Sequence, residues 1–165
     1  LCLDTPGHAR HHIVVVDRKT GGAFTGDLFG LSYPIMDVGA RQFLFPTTTP
    51  TQFDPEAMRR SLVLLRQYRP PVLYLTHYGQ LREPEAQERV LLGQIDRFSE
   101  LGLRHADDGA ERHARIKADL TRYLMDAAAR FGCPLPQAEL LDWWEPDLEL
   151  NTQGLEAWLD SRARG

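Results

Sequence analysis

Cysteine is nearly missing from this chain of 165 residues: Cys2 and Cys133 are the only two. They are too few and too far apart for a disulfide scaffold or a paired-cysteine metal knuckle, which points to a reducing compartment, with the cytoplasm as the default. Long apolar runs are missing too. Nothing approaches the ~20 residues that span a bilayer, and no basic stretch followed by a hydrophobic core opens the chain, so neither anchor nor signal peptide is expected. A basic excess is also lacking. With 19 Lys and Arg against 23 Asp and Glu, the net charge is -4 and the pI near 5.9, which argues against nucleic acid as a partner. Arg59, Arg60, Arg66 and Arg69 cluster, but on one short predicted helix, and read as its solvated face. There is no internal repeat and no low-complexity tract. The first residue is Leu1 rather than Met, and the abrupt opening reads as a chain that is processed, truncated or cut from something longer.

What is present is an ordinary globular composition, 42% hydrophobic and 25% charged, in a chain long enough for one real core. Residues 13–17, Ile-Val-Val-Val-Asp, predict a strand buried on both faces. Arg18-Lys19-Thr20-Gly21-Gly22 supplies turn chemistry before Ala23-Phe24-Thr25, so the pair reads as a hairpin. Residues 27–53 carry Gly30, Pro34, Gly39, Pro46 and Pro50 without steady period, the mark of a binding loop. Asp54-Pro55-Glu56 opens a helix whose Met58, Leu62 and Leu65 form one apolar stripe before Pro70-Pro71 ends it. Residues 72–76 follow as a short buried strand, with His77 at its carboxyl end. Strand, helix and strand together imply a layered α/β sheet.

After Gly79 no further strand is expected. A helix opens at Pro84 and buries Leu91, Ile95, Phe98 and Leu101, with Gly102 as C-cap. A second covers 110–131 along Ile116, Leu120, Leu124, Ala127 and Phe131, with Gly132 behind it. Beyond Cys133-Pro134-Leu135-Pro136, two shorter helices are predicted, one over 137–144 and one starting near Asn151 or Thr152, burying Leu155, Trp158 and Leu159. Trp143, Trp144 and Trp158 read as the small core of this helical end or as a homodimer contact. The division expected is therefore 1–82 as an α/β unit and 83–165 as a helical extension.

Three short segments carry the chemistry. Thr5-Pro6-Gly7-His8, Phe24-Thr25-Gly26-Asp27 and Thr76-His77 each place a His or Asp where a strand ends, and two imidazoles with a carboxylate on rigid supports are what a divalent ion needs. In this order, the three segments resemble the carboxyl-terminal half of the metallo-β-lactamase-fold hydrolase superfamily, in its glyoxalase-II-like or general hydrolase members. The resemblance covers about residues 1–80. It implies half of a layered αββα fold with a helical carboxyl-terminal extension, and a metal-dependent hydrolase of an ester, thioester, lactone, amide or phosphoester acting through metal-bound hydroxide. Carried over residue by residue, it makes His8 a metal ligand, Asp27 the catalytic carboxylate that binds one metal or bridges two, and His77 the last ligand. The ion would be zinc first, with iron or manganese open.

The sequence departs from the family at one place: His-x-His-x-Asp-His, its principal metal motif, has no counterpart among the 165 residues. An amino-terminal half, in the same or a separate chain, is therefore the expected partner, and without it residues 13–16 would form an unpaired apolar edge. His11 and His12 are adjacent, so on a strand they point to opposite sides. His12 reads as supporting or packing, and His11 as a candidate for substrate. Phe29, Tyr33 and Phe43 line a substrate pocket or anchor the loop on the core, and Tyr78 shapes the pocket rim. The competing reading is a non-catalytic binding or regulatory module of the same fold.

Overall fold

The structure is a computed structural model and describes residues 1–48, 50–77 and 79–164. Five short strands form one sheet in the order β1 (Cys2–Asp4), β2 (Ile13–Val16), β3 (Ala23–Phe24), β4 (Leu73–Leu75) and β5 (Gly79–Leu81). β3 and β4 are parallel, and every other pair is antiparallel. The parallel step needs a crossover, which α1 (Pro55–Arg66) supplies. Asp54 caps that helix by accepting from the Ala57 amide at 2.9 Å, and Pro55 occupies the first turn, where a missing amide costs nothing.

β1 is the strand implied ahead of His8, whereas β5 was not expected, and both are three-residue edges too short to show a period. Their presence overturns the expectation of an exposed edge at residues 13–16: β2 is paired on both sides. The expectation that β2 is buried on both faces also fails. Val14 and Val16 are buried, while Ile13 and Val15 are 51% and 37% exposed. Register carries this alternation across the sheet, because Val15 pairs with Phe24 and Phe24 with Tyr74. Phe24 is 52% exposed and stacks on Tyr74 at 5.0 Å. One face of the sheet thus packs on the core through Leu3, Val14, Ala23, Leu73 and Leu81, and the other leaves an apolar stripe uncovered.

Three long helices complete the chain: α2 (Pro84–Arg104), α3 (Arg112–Phe131) and α4 (Gln137–Ala163). Gly102 lies inside α2 rather than capping it, with Leu155 and Trp158 of α4 about its missing side chain. The two short terminal helices are in fact one. Pro146 lies within α4, and the buried stripe Leu140, Trp144, Leu148, Thr152, Leu155, Leu159 steps by three or four residues without a break. Asn151 and Thr152 look like a new helix start, yet they are buried interior residues of a continuous helix. Trp144 and Trp158 are buried as expected, whereas Trp143 is 44% exposed. One hydrophobic cluster runs from Leu3 to Leu159 and joins sheet and helices. Among the described residues no helix is long and apolar enough to cross a membrane.

Candidate metal centre

β1, β3 and β4 run in the same direction, since β1 is antiparallel to β2, β2 to β3, and β3 is parallel to β4. Their carboxyl ends therefore lie along one edge of the sheet, and His8, Asp27 and His77 each follow one of those ends. They meet there. His8 Nε2 is 3.3 Å from Asp27 Oδ2, and His77 Nε2 is 3.1 Å from Asp27 Oδ1, so each imidazole takes one oxygen of a single carboxylate.

The loops are held to this geometry by contacts that only glycine permits. A Cβ on Gly7 (φ +140) would lie 2.3 Å from Met58 Cα, because the loop is pressed against α1. The Asp54 amide donates to Gly7 O at 2.8 Å and Ser61 Oγ to Pro6 O at 2.6 Å. At Gly26 (φ +53) a Cβ would lie 2.4 Å from His12 Nε2. That closeness serves a bond: the Asp27 amide donates to His12 Nε2 at 3.0 Å. His12 therefore carries its proton on Nδ1, 3.0 Å from Thr5 Oγ1. Burial holds His12 below its ordinary pKa, more than the Asp27 charge raises it, which keeps the ring neutral and Nε2 free to accept.

His8 is similarly tied. Its Nδ1 is 3.3 Å from Thr47 O and 3.0 Å from Thr47 Oγ1, and a carbonyl only accepts, so the proton sits on Nδ1. Burial lowers the His8 pKa against the pull of Asp27. A neutral ring with its Nδ1 committed presents the Nε2 lone pair to the Asp27 oxygen, two acceptors face to face. A cation between them resolves that opposition. Asp27 Oδ1 is buried and has no hydrogen-bond donor in good geometry among the described residues. Tetrahedral bonds of 2.0–2.1 Å place neighbouring donor atoms about 3.4 Å apart, close to the two separations seen here. Among the described residues no three or more His, Cys, Asp and Glu side chains together form a metal site, so the match holds pairwise, through Asp27. Taken two at a time, the donors are spaced as neighbouring ligands of one divalent ion are.

A cavity of about 330 Å³ opens beside these residues and is also lined by Asp147, Leu150 and Asn151 of α4. Nothing in the sequence pattern marked them, because α4 reaches the site only through tertiary packing. Thr47 is a similar case, one of three consecutive threonines in an irregular segment. The clamp is explicit at Thr48, whose amide donates to Asn151 Oδ1 at 2.7 Å and whose hydroxyl donates to Asn151 O at 2.9 Å. Tyr33 is buried, not exposed to the cavity, and its hydroxyl donates to Asp147 Oδ2 at 2.5 Å. Burial raises the Asp147 pKa, opposed by that bond and by His77.

The other expected contacts are placed differently. Phe29 is 3% exposed and borders a small void with Leu62, Leu65 and Leu73, not the metal-centre cavity, because its loop turns inward onto α1. Phe43 stacks on Trp144 at 5.7 Å in the core. His11 is exposed and does not line the cavity. Tyr78 lies outside the described residues. His105 and His113 do not line the cavity and each stands between two carboxylates: Asp108 and Asp119, and Glu149 and Glu156.

Residues 3–77 match the model of the metallo-beta-lactamase superfamily. A metallo-beta-lactamase family protein from Thermus thermophilus superposes with a TM-score of 0.56 at 17% identity, covering 98% of this chain and 44% of that one. A metallo-beta-lactamase superfamily protein from the archaeon Sulfolobus tokodaii shares 31% identity over 56% of this chain and 32% of its own, with a TM-score of 0.46. The chain thus spans less than half the length of either structure. No curated protein matches it.

Proposed function

We propose that this chain is part of a metal-dependent hydrolase, a reading supported by the match of residues 3–77 to the metallo-beta-lactamase superfamily and by the meeting of two imidazoles on one carboxylate. His8, Asp27 and His77 hold a divalent ion, zinc by the chemistry of the donor set. Such an ion supplies Lewis acidity and lowers the pKa of water towards neutrality. The chain's own residues do the rest. Thr47 fixes the His8 tautomer, His12 fixes the Asp27 backbone, and Asp147, Leu150 and Asn151 wall the space where an ester, thioester, lactone, amide or phosphoester would lie. Asp147, its pKa raised by burial, is placed to hold a proton beside that space.

The uncovered sheet face supports the second part of the reading. Ile13, Val15, Phe24 and Tyr74 make a continuous apolar stripe of the kind that monomeric surfaces avoid. The amino-terminal half of the fold covers this face and brings the remaining ligands. The observation that carries the function is the pair of contacts from His8 and His77 to Asp27. Metal analysis of the full-length protein tests it. Stoichiometric metal, lost in Asp27→Ala together with hydrolysis of a thioester and phosphodiester panel, is the expected result. A folded, metal-free protein whose melting point ignores chelation overturns it.

A further inference from the structure

A second cavity lies away from His8, Asp27 and His77. It measures about 700 Å³, within the range of small-molecule sites, and lies among residues 40–44, the amino end of α2 and the last turns of α3. It shares no lining residue with the cavity beside His8, Asp27 and His77. Arg41, Arg82, Arg89 and Arg130 surround it against a single carboxylate, Glu83, in a chain whose net charge is -4.

These four cations differ from most others on the helices. Arg97, Arg104, Arg112, Arg115, Lys117 and Arg122 each have a carboxylate within ion-pair distance. None of the four around the cavity has one among the described residues. Arg41 instead donates to Phe131 O at 3.1 Å and lies 4.9 Å over the Phe131 ring, which holds its guanidinium at the rim. The wall between the charges is apolar, made by Phe43, Val90, Ala127 and Phe131. The amino end of α2 also borders the cavity; its cap residue, Glu83, is left-handed (φ 54, ψ 54) and makes no side-chain cap, so the positive end of the helix dipole lies on this side, offset in part by Glu85 of the first turn. The floor is rigid. Gln94, 5% exposed, donates to Leu44 O at 2.9 Å, Gln87 to Gln42 O at 3.2 Å, and Gln42 to Gln80 O at 2.8 Å. The Gln94 carbonyl oxygen has no donor among the described residues.

We propose that this cavity binds an amphipathic small-molecule anion, a phosphate headgroup on an apolar body, with the arginines taking the phosphate and the Phe43–Phe131 wall the body. Planar guanidiniums suit phosphate oxygens, and a wall of this composition favours an acyl or aromatic body over a bare ion. Isothermal titration of the full-length protein tests this with octyl phosphate, pyrophosphate, uncharged octyl glucoside and a single-stranded RNA oligonucleotide. Octyl phosphate should bind at least about tenfold more tightly than pyrophosphate, octyl glucoside should not bind, and Arg89→Glu or Arg130→Glu should each weaken binding by about tenfold or more. Both residues lie on the helix surface, and circular dichroism checks that the variants fold. Binding must survive His8→Ala, which separates this site from the metal centre. Equal affinity for pyrophosphate, unchanged binding in both Arg89→Glu and Arg130→Glu, loss of binding in His8→Ala, or uptake of the RNA alone overturns the proposal.

Discussion

The backbone amide of Asp27 donates to His12 Nε2 across 3.0 Å, so a histidine that touches neither His8's nor His77's carboxylate partner oxygen sets where that carboxylate stands. Replacing His12 with Phe fills the space but removes the acceptor. The orphaned amide should cost about 1–3 kcal/mol, and metal affinity should fall about 10–100-fold, the usual loss for a group that orients a ligand. Thermal melting and a competitive metal titration measure the two effects separately.

Gly26→Ala should be more damaging still. The residue holds φ +53, and its Cβ would meet His12 Nε2 at 2.4 Å, so the substitution strains the backbone and pushes away the ring that positions Asp27. A loss of about 2–5 kcal/mol is expected, strain and overpacking together. Gly39→Ala is the control: its φ is +62 but nothing lies within 4 Å, and about 1 kcal/mol should be lost. Equal denaturation midpoints for the two variants would count against the close-approach argument.

Asn151→Leu tests whether α4 belongs to the site. It leaves the Thr48 amide without its acceptor in a buried place, while the Thr48 hydroxyl keeps the Asn151 backbone carbonyl, costing about 1–3 kcal/mol. It also frees the segment carrying Thr47, which holds His8. Metal affinity should fall along with stability. A variant destabilised by that amount with unchanged metal affinity would show that α4 is only a scaffold.

The bracket between α3 and α4 should give stability a defined pH window. Hydrogen bonding to Glu156, then Glu149, raises the His113 pKa above 6.5, so its contribution is complete below 6.5 and fades as pH rises through the folded value. Lys117 and then Gln153 hold Glu149 at about 2 against an ordinary 4.5, so its contribution is complete above 4.5 and fades as pH falls towards 2. Both act fully between pH 4.5 and 6.5. Melting temperature against pH should show its plateau there, and His113→Gln should flatten the alkaline side while Glu149→Gln flattens the acid side.

Much of this was legible along the chain, for identifiable reasons. Asp54-Pro55-Glu56 announced α1, Gly132 closed α3 in a left-handed conformation (φ 84), and Asp17 to Gly22 made the turn between β2 and β3 with the Asp17 carboxylate accepting from Lys19 and Thr20. These are local signals, settled by a few neighbouring residues. β5 was not legible, and β1 showed only as the strand end implied before His8, because a three-residue edge strand is defined by its partner. α4 was misread as two helices because Pro146, Asn151 and Thr152 carry local signals of interruption that burial against Thr48 and Leu148 overrides.

The same division runs through the site. Residue type and order alone determined that His8, Asp27 and His77 are the candidate donors, since each stands behind a small-residue turn at the end of a strand and few other side chains can serve a divalent ion. Only tertiary structure decided that the three ends share one sheet edge, that His12 and Thr47 fix the donors, that α4 walls the cavity, and that four arginines from three separate segments surround a second one. Donor chemistry is a property of single residues, whereas convergence depends on strand direction and helix packing, which no stretch of sequence contains by itself.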